Sequence, residues 1–300
     1  MLPSRRVAWQ FKMPSGRAVV LTDAALLAAQ VPAAAPALTA GASGALLPPK
    51  PPERNLAGGL SIARQLGLGV SRIVIDPGHG GHDPGAKGRG VTEAELVLDV
   101  ALRLEQLLTK LPGVEVVLTR RENTFVSLQE RTAIANRESA DLFLSIHANA
   151  SSLPSARGVE TYFLNFASNQ RAAAVAAREN ATSGQTMGSL QDVITSIALN
   201  SKVDESRDFA TYVQREMLAS LKRANSGVRD LGVKQAPFVV LVGAAMPSIL
   251  AEISFVTNPQ EAKLLKSTSY RQKIAAALFE GVRKYQGSLT TAPAVAAQQH

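Results

Sequence analysis

Residues Arg72 to Leu108 read RIVIDPGHGGHDPGAKGRGVTEAELVLDVALRLEQLL. The β-branched run Ile73 to Ile75 predicts a buried strand that ends at Asp76. Glycines at 78, 80, 81, 85, 88 and 90 then break any regular pattern and let the backbone turn tightly around something. Beyond Val91 the apolar residues fall at Leu96, Val97, Val100, Ala101, Leu104, Leu107 and Leu108, which is a helical period with one face turned to a core. The unit is strand, loop, helix. Its loop carries His79 and His82, two of the four histidines in the chain.

Working outward, the same alternation repeats. Pro112 and Gly113 make a turn, Val114 to Thr119 reads as a second strand, and Ser127 to Glu138 as a helix with Ser127 at its N-cap. DLFLSIH, Asp141 to His147, is a third strand and Gly158 to Leu164 a fourth. Asp208 to Ala224 is a strongly patterned helix. Phe238 to Val242 and Ser248 to Ile253 read as two further short strands, and Asn258 to Leu265 with Tyr270 to Tyr285 as closing helices. Strands alternating with helices predict a three-layer α/β sandwich over residues 71–287. An insert, residues 165–210, is polar and alanine-rich, with Gly184 and Gly188 between two helical patches. Residues 288–300 read as a flexible tail.

Ahead of this domain, residues 1–70 read mostly as linker. Pro32, Pro36, Pro48, Pro49, Pro51 and Pro52 lie among alanines, and nothing from Met1 to Pro52 needs a fold. Ser61 to Leu66 is expected to form a short helix that delivers the chain to the first strand. Ser4, Arg5 and Arg6 resemble the start of an export signal, but Lys12 and Arg17 interrupt the apolar region that should follow, so no clear signal is read.

A length of 300 residues with 46% apolar content is enough for a substantial core. No apolar run is long enough for a membrane span. The net charge of +8 suits an anionic partner, yet the basic residues are scattered and no aromatic platform accompanies them, so nucleic acid is not expected. With no cysteine, any metal must be held by His, Asp or Glu.

Four such residues share one topological position. His79 follows the first strand, Glu93 opens the helix after the glycine loop, His147 ends the third strand, and Glu252 lies near the end of the last. Ligands gather at the carboxyl ends of strands in open α/β sheets, so these side chains can converge despite their separation in sequence. Two imidazoles and a carboxylate make a common zinc set with a fourth position free for water, and a further carboxylate then serves as the proton carrier that hydrolysis needs. Glu252 takes that role, because AMPSILAEISF puts a charge inside an apolar strand, where burial is costly without a function or a partner. Structural readings compete: a histidine after a strand is often merely hydrogen-bonded, and Glu93 could simply favour a helix N-terminus. His82 competes with His79, and Glu95 with Glu93; spacing does not choose.

The motifs IVIDPGHGGHDPG, TEAELVLDVALRL, LTRRENTFVSLQERTAIAN, LFLSIHANA, GVETYFL and GVKQAPFVVLVGAAMPSILAEISFVTNPQEAKLL occur in this order. Together they resemble the zinc-dependent N-acetylmuramoyl-L-alanine amidases of bacterial cell-wall turnover. The resemblance covers about Arg72 to Tyr285. It implies metal ligands at His79, Glu93 and His147, with one Zn2+, and a catalytic glutamate at Glu252; His82 and Glu95 become bystanders. It also implies a mixed, roughly six-stranded sheet, hydrolysis of the amide between N-acetylmuramic acid and L-alanine in peptidoglycan, and a periplasmic or otherwise extracytoplasmic site of action for a monomeric enzyme. Asn123 departs from the aspartate usual after the TR pair, a change expected to touch loop structure. Some members of the family cover the zinc with a helix that a partner protein moves. The insert 165–210 occupies that place, with Ser189 to Leu199 as the expected covering helix and an activator protein as the expected partner. Two other readings stand beside this one: a zinc peptidase or deacetylase on the same ligands, and a catalytically silent wall-binding scaffold.

Overall fold

In the computed structural model of the chain, the described residues are 10–12, 18–20, 54–56, 58–61, 64–65, 69–183 and 202–289. The chain divides into two units, Met1–Leu47 and Pro48–His300. The first holds two short antiparallel strands, Gln10–Lys12 and Ala18–Val20.

The second unit is built on a mixed six-stranded sheet, as expected. Its strands are β1 (Arg72–Pro77), β2 (Glu115–Leu118), β3 (Leu142–Asn149), β4 (Val159–Leu164), β5 (Asp230–Ala236) and β6 (Ser248–Phe255), in the spatial order β2-β1-β3-β6-β4-β5. Neighbours are parallel except β6 and β4, which run antiparallel. The helices are α1 (Glu93–Leu108), α2 (Leu128–Arg137), α3 (Gln170–Glu179), α4 (Val203–Ala224), α5 (Pro259–Leu265) and α6 (Thr268–Leu289).

Alternation along the strands sorts side chains between two cores. Ile73, Ile75, Leu144, Ile146, Ile249 and Ala251 face α1, α4 and α6. Val74, Phe143, Tyr162 and Leu250 face α2 and α3. Each large apolar side chain fully withdrawn from water contributes roughly 1.5–3 kcal/mol, so the sheet is fixed in register by both faces at once. Ser127 caps α2 by accepting from the Glu130 amide, and Asn258 caps α5 by accepting from the Gln260 and Glu261 amides.

Two sequence expectations are corrected here. Phe238 to Val242 is not a strand; Val239–Leu241 is a single 3-10 turn, and Phe238, Val240 and Leu241 are buried against the α2–α3 face. A short apolar run after Pro237 satisfies burial without strand geometry. The sheet takes Asp230–Ala236 instead, a half-buried edge strand. α6 also runs to Leu289, and Ser288 and Leu289 are buried where the sequence reading began a tail. On the N-terminal side, Arg64 is buried and bonds Glu205 and Asp208 of α4, which seats the approach to β1 on the domain. Of the expected helix Ser61 to Leu66 only residues 61, 64 and 65 are described, the last two as helix, and Ser189 to Leu199 lies outside the described residues.

Candidate metal centre

Four side chains meet at the carboxyl rim of the sheet. His79, Glu93, His147 and Glu179 each offer one ligand atom, and these atoms lie within 4.8 Å of one another. Glu93 Oε1 is 3.2 Å from both His79 Nε2 and His147 Nδ1, and Glu179 Oε2 is 3.0 Å from each of the same nitrogens.

Each donor is aimed by its own element. The loop after β1 holds His79 in the left-handed region at φ 57°, a conformation that costs energy in a residue with a side chain. Two buried arginines hold it there: Arg131 donates to the carbonyls of Pro77 and His79, and Arg120 to those of Pro77 and Gly78. Asp83 accepts from His79 Nδ1 at 2.8 Å, which leaves Nε2 as the nitrogen that faces the cluster. Space is equally constrained. A Cβ on Gly78 would lie 2.4 Å from the His147 ring, and one on Gly85 would lie 2.6 Å from His79 and 2.7 Å from Glu93.

Glu93 is not a helix-terminus ornament. Its Oε1 accepts from the Ala148 amide at 2.8 Å and its Oε2 from the Ala86 amide at 2.7 Å, so the carboxylate is fastened to β3 and to the loop. His82 is exposed beside Phe125, and Glu95 is exposed on α1; neither joins the cluster. Asn123 accepts from the Gly81 amide at 3.0 Å, a loop-holding role consistent with its expected effect.

Glu252 stands beside the cluster and outside it. Its Cα partners are His147 on β3 and Glu160 on β4, so the three side chains form a row across one face of the sheet. It is fully buried, and neither carboxylate oxygen has a hydrogen-bond partner among the described residues. Arg178 Nη2 lies 3.6 Å from its Oε1.

Electrostatics couple the four groups and Glu252 to one another. Burial alone would lower both imidazoles, but Glu93, Asp83 and Glu179 raise His79 to about 12, and Glu179 with Glu93 raises His147 to about 9. Burial would raise the carboxylates, yet His79 brings Glu93 down to about 2, and His147 holds Glu179 well below the usual range. Burial, reinforced by Glu179 and Glu93, pushes Glu252 well above it. The carboxylates therefore demand positive charge at their centre. His79 Nε2, His147 Nδ1 and Glu179 Oε2 are buried without a hydrogen-bond partner among the described residues, although the nitrogens lie only 3.0 Å from that oxygen. Two imidazole nitrogens and carboxylate oxygens arranged in this way fit a divalent cation of the zinc type.

Sequence reasoning missed Glu179. It ends α3, inside an alanine-rich patch of the insert, and no spacing rule ties it to the other three.

The fold and the site define an α/β domain with a buried donor set suited to one metal ion and a further buried carboxylate, Glu252, next to it. The profile of the N-acetylmuramoyl-L-alanine amidase family matches residues 73–284. The chain is 36% identical over 224 residues to the N-acetylmuramoyl-L-alanine amidase AmiA of Escherichia coli (strain K12), covering 71% of this chain and 75% of that one. It is 38% identical over 226 residues to LytC of Bacillus subtilis (strain 168), covering 75% of this chain and 38% of that one. Among solved structures, the N-acetylmuramoyl-L-alanine amidase from Clostridium difficile 630 superposes with a TM-score of 0.58 at 30% identity, covering 73% of this chain and 98% of that chain. The chain belongs to the N-acetylmuramoyl-L-alanine amidase family.

Proposed function

We propose that this cell-wall amidase cuts the bond between N-acetylmuramic acid and L-alanine with His79, Glu93 and His147 holding one zinc ion and Glu252 moving the proton. The observation that carries the reading is the meeting of His79 Nε2, Glu93 Oε1 and His147 Nδ1 at one point, with Glu252 in register beside His147. A divalent metal, when bound there, polarises a carbonyl and acidifies water. Asp83 keeps His79 in the tautomer that offers Nε2, and the Ala86 and Ala148 amides fix the Glu93 carboxylate in direction. Glu252 accepts a proton at its carboxylate and delivers it to the departing amide nitrogen. Burial, with Glu179 and Glu93 nearby, raises its proton affinity well above that of an ordinary carboxylate, which suits a group that takes up a proton and passes it on.

Glu179 gives the insert a role. Its carboxylate occupies the fourth position of the donor set, where water or a scissile carbonyl would otherwise enter. The chain in this form is self-inhibited, and an activating partner would act by withdrawing α3. The first helical patch of the insert, α3, is thus a covering element, while Ser189 to Leu199 lies outside the described residues. Peptidoglycan as substrate implies work outside the cytoplasm; among the described residues no helix is long and apolar enough to cross a membrane.

The test is release of stem peptides from purified sacculi, with metal content measured on the same preparation. An amidase frees peptides with an L-alanine amine and leaves the sugars intact. Release of other ends, or equal activity after chelation, would refute the reading.

A further inference from the structure

Arg178 and Glu179 are consecutive residues at the end of α3, yet they address two different parts of the site. Glu179 lies against the two imidazoles, as described. Arg178 Nη1 donates to Asn149 Oδ1 at 3.1 Å and to the Ala150 carbonyl at 2.9 Å, and its Nη2 lies 3.6 Å from Glu252 Oε1. The guanidinium also pairs with the Glu179 carboxylate, Arg178 Nε donating to Oε1 at 2.8 Å. A carboxylate and a cation thus sit side by side, the first at the metal donors and the second in a recess of three acceptors.

Amide hydrolysis makes the same pair of charges. Water adds to the carbonyl carbon, the C–O bond forms and the C–N bond breaks, and both protons of the water pass to the nitrogen by way of Glu252, so that a carboxylate and an ammonium are left side by side in the site. An ammonium has three donors and no acceptor. Around Arg178 lie three acceptors; Asn149 Oδ1 also accepts from the Ala150 amide at 2.9 Å, so withdrawal of the arginine frees its second lone pair together with the Ala150 carbonyl and Glu252.

The orientation of Asn149 supports this use. Its Nδ2 donates to Glu160 Oε1 at 2.6 Å, and Glu160 is fully buried and also paired with Lys234. An ionised carboxylate only accepts, so the Asn149 amide is committed to Glu160 and its oxygen must face the recess.

We propose that Arg178 and Glu179 occupy the site as a mimic of the two reaction products, and that Asn149 Oδ1, the Ala150 carbonyl and Glu252 form the seat of the leaving amine. Asn149 is then a substrate-binding residue specific for the amine side of the scissile bond. This rests on the amidase reading above.

The experiment uses the full chain carrying Arg178→Ala and Glu179→Ala, which empties both positions. Calorimetry measures binding of an L-alanyl peptide with a free amino terminus, and of the same peptide N-acetylated. The free amine should bind about tenfold tighter or more, as loss of a charge-assisted contact predicts, and the unaltered chain should bind neither. Adding Asn149→Ala should remove that preference while leaving binding of lactate, a probe for the carboxylate position, unchanged. Equal binding of the two peptides, or no binding of either, would overturn the proposal without any use of the Asn149 variant; an unchanged preference in the Asn149 variant would overturn its role. Stem-peptide release from sacculi by the double variant is scored separately, so loss of the amidase reading is distinguishable from loss of this one.

Discussion

Glu252 and His147 are direct neighbours in the register of two parallel strands, β6 and β3. One belongs to the donor set and the other does not. In the proposed roles, with Glu252 carrying the proton and His147 holding the metal, placement on adjacent strands rather than on loops would give the rigidity a reacting site needs.

Replacing Glu252 by Gln should therefore separate chemistry from metal binding. Stem-peptide release should fall by about 10² to 10⁴-fold, the usual contribution of a placed proton carrier, with bound metal per chain unaltered by elemental analysis. Loss of metal together with activity would make Glu252 a ligand.

Glu179→Ala should have the opposite sign. With the fourth donor removed, turnover on sacculi should rise by about 5- to 150-fold, the span of ordinary coupling energies, and the dependence on an activating partner should shrink. A folded variant with unchanged or lower turnover would rule out self-inhibition by this residue.

Asp83 accepts from His79 Nδ1, through which it would act on the proposed metal. Asp83→Ala should weaken zinc binding by about 10- to 100-fold in a competition titration against a chelating dye, without change in far-ultraviolet circular dichroism. Unaltered affinity would show that the loop geometry alone orients the ring.

Asp76 predicts a pH dependence of stability. Burial by itself would raise its pKa, but Arg131, Thr119 and Ser145 hold it below its ordinary 3.8. The stability it contributes is complete above about pH 4 and is lost as pH falls through the folded-state value. Asp76→Asn should cost about 3–5 kcal/mol at pH 7, because buried Arg131 loses its counter-charge. Denaturant titrations of both proteins should converge as pH falls below about 4; a constant difference between them would assign the loss to packing.

What the sequence disclosed follows from how each residue is positioned. His79, Glu93, His147 and Glu252 sit at the ends of strongly apolar strands or at the start of a strongly periodic helix, so pattern alone locates them at one rim. Glu179 lies in QRAAAVAARE, a weakly apolar helix whose inner face is defined only after β4 and β5 have paired and left room above them. The edge strand DLGVKQA has one face on the core and carries Gly232 and Lys234, so its alternation is faint. Phe238 to Val242 has the composition of a strand and the burial of one, and only the backbone shows that it turns.

In the proposed centre one ion is shared by His79, Glu93 and His147, with Glu252 left off it. Anomalous diffraction from crystals of the zinc-loaded chain, collected at the zinc edge, tests this directly. A single peak about 2.0–2.2 Å from His79 Nε2, His147 Nδ1 and Glu93 Oε1 is the predicted result. A peak bonded to Glu252, or none at these three atoms, would contradict it.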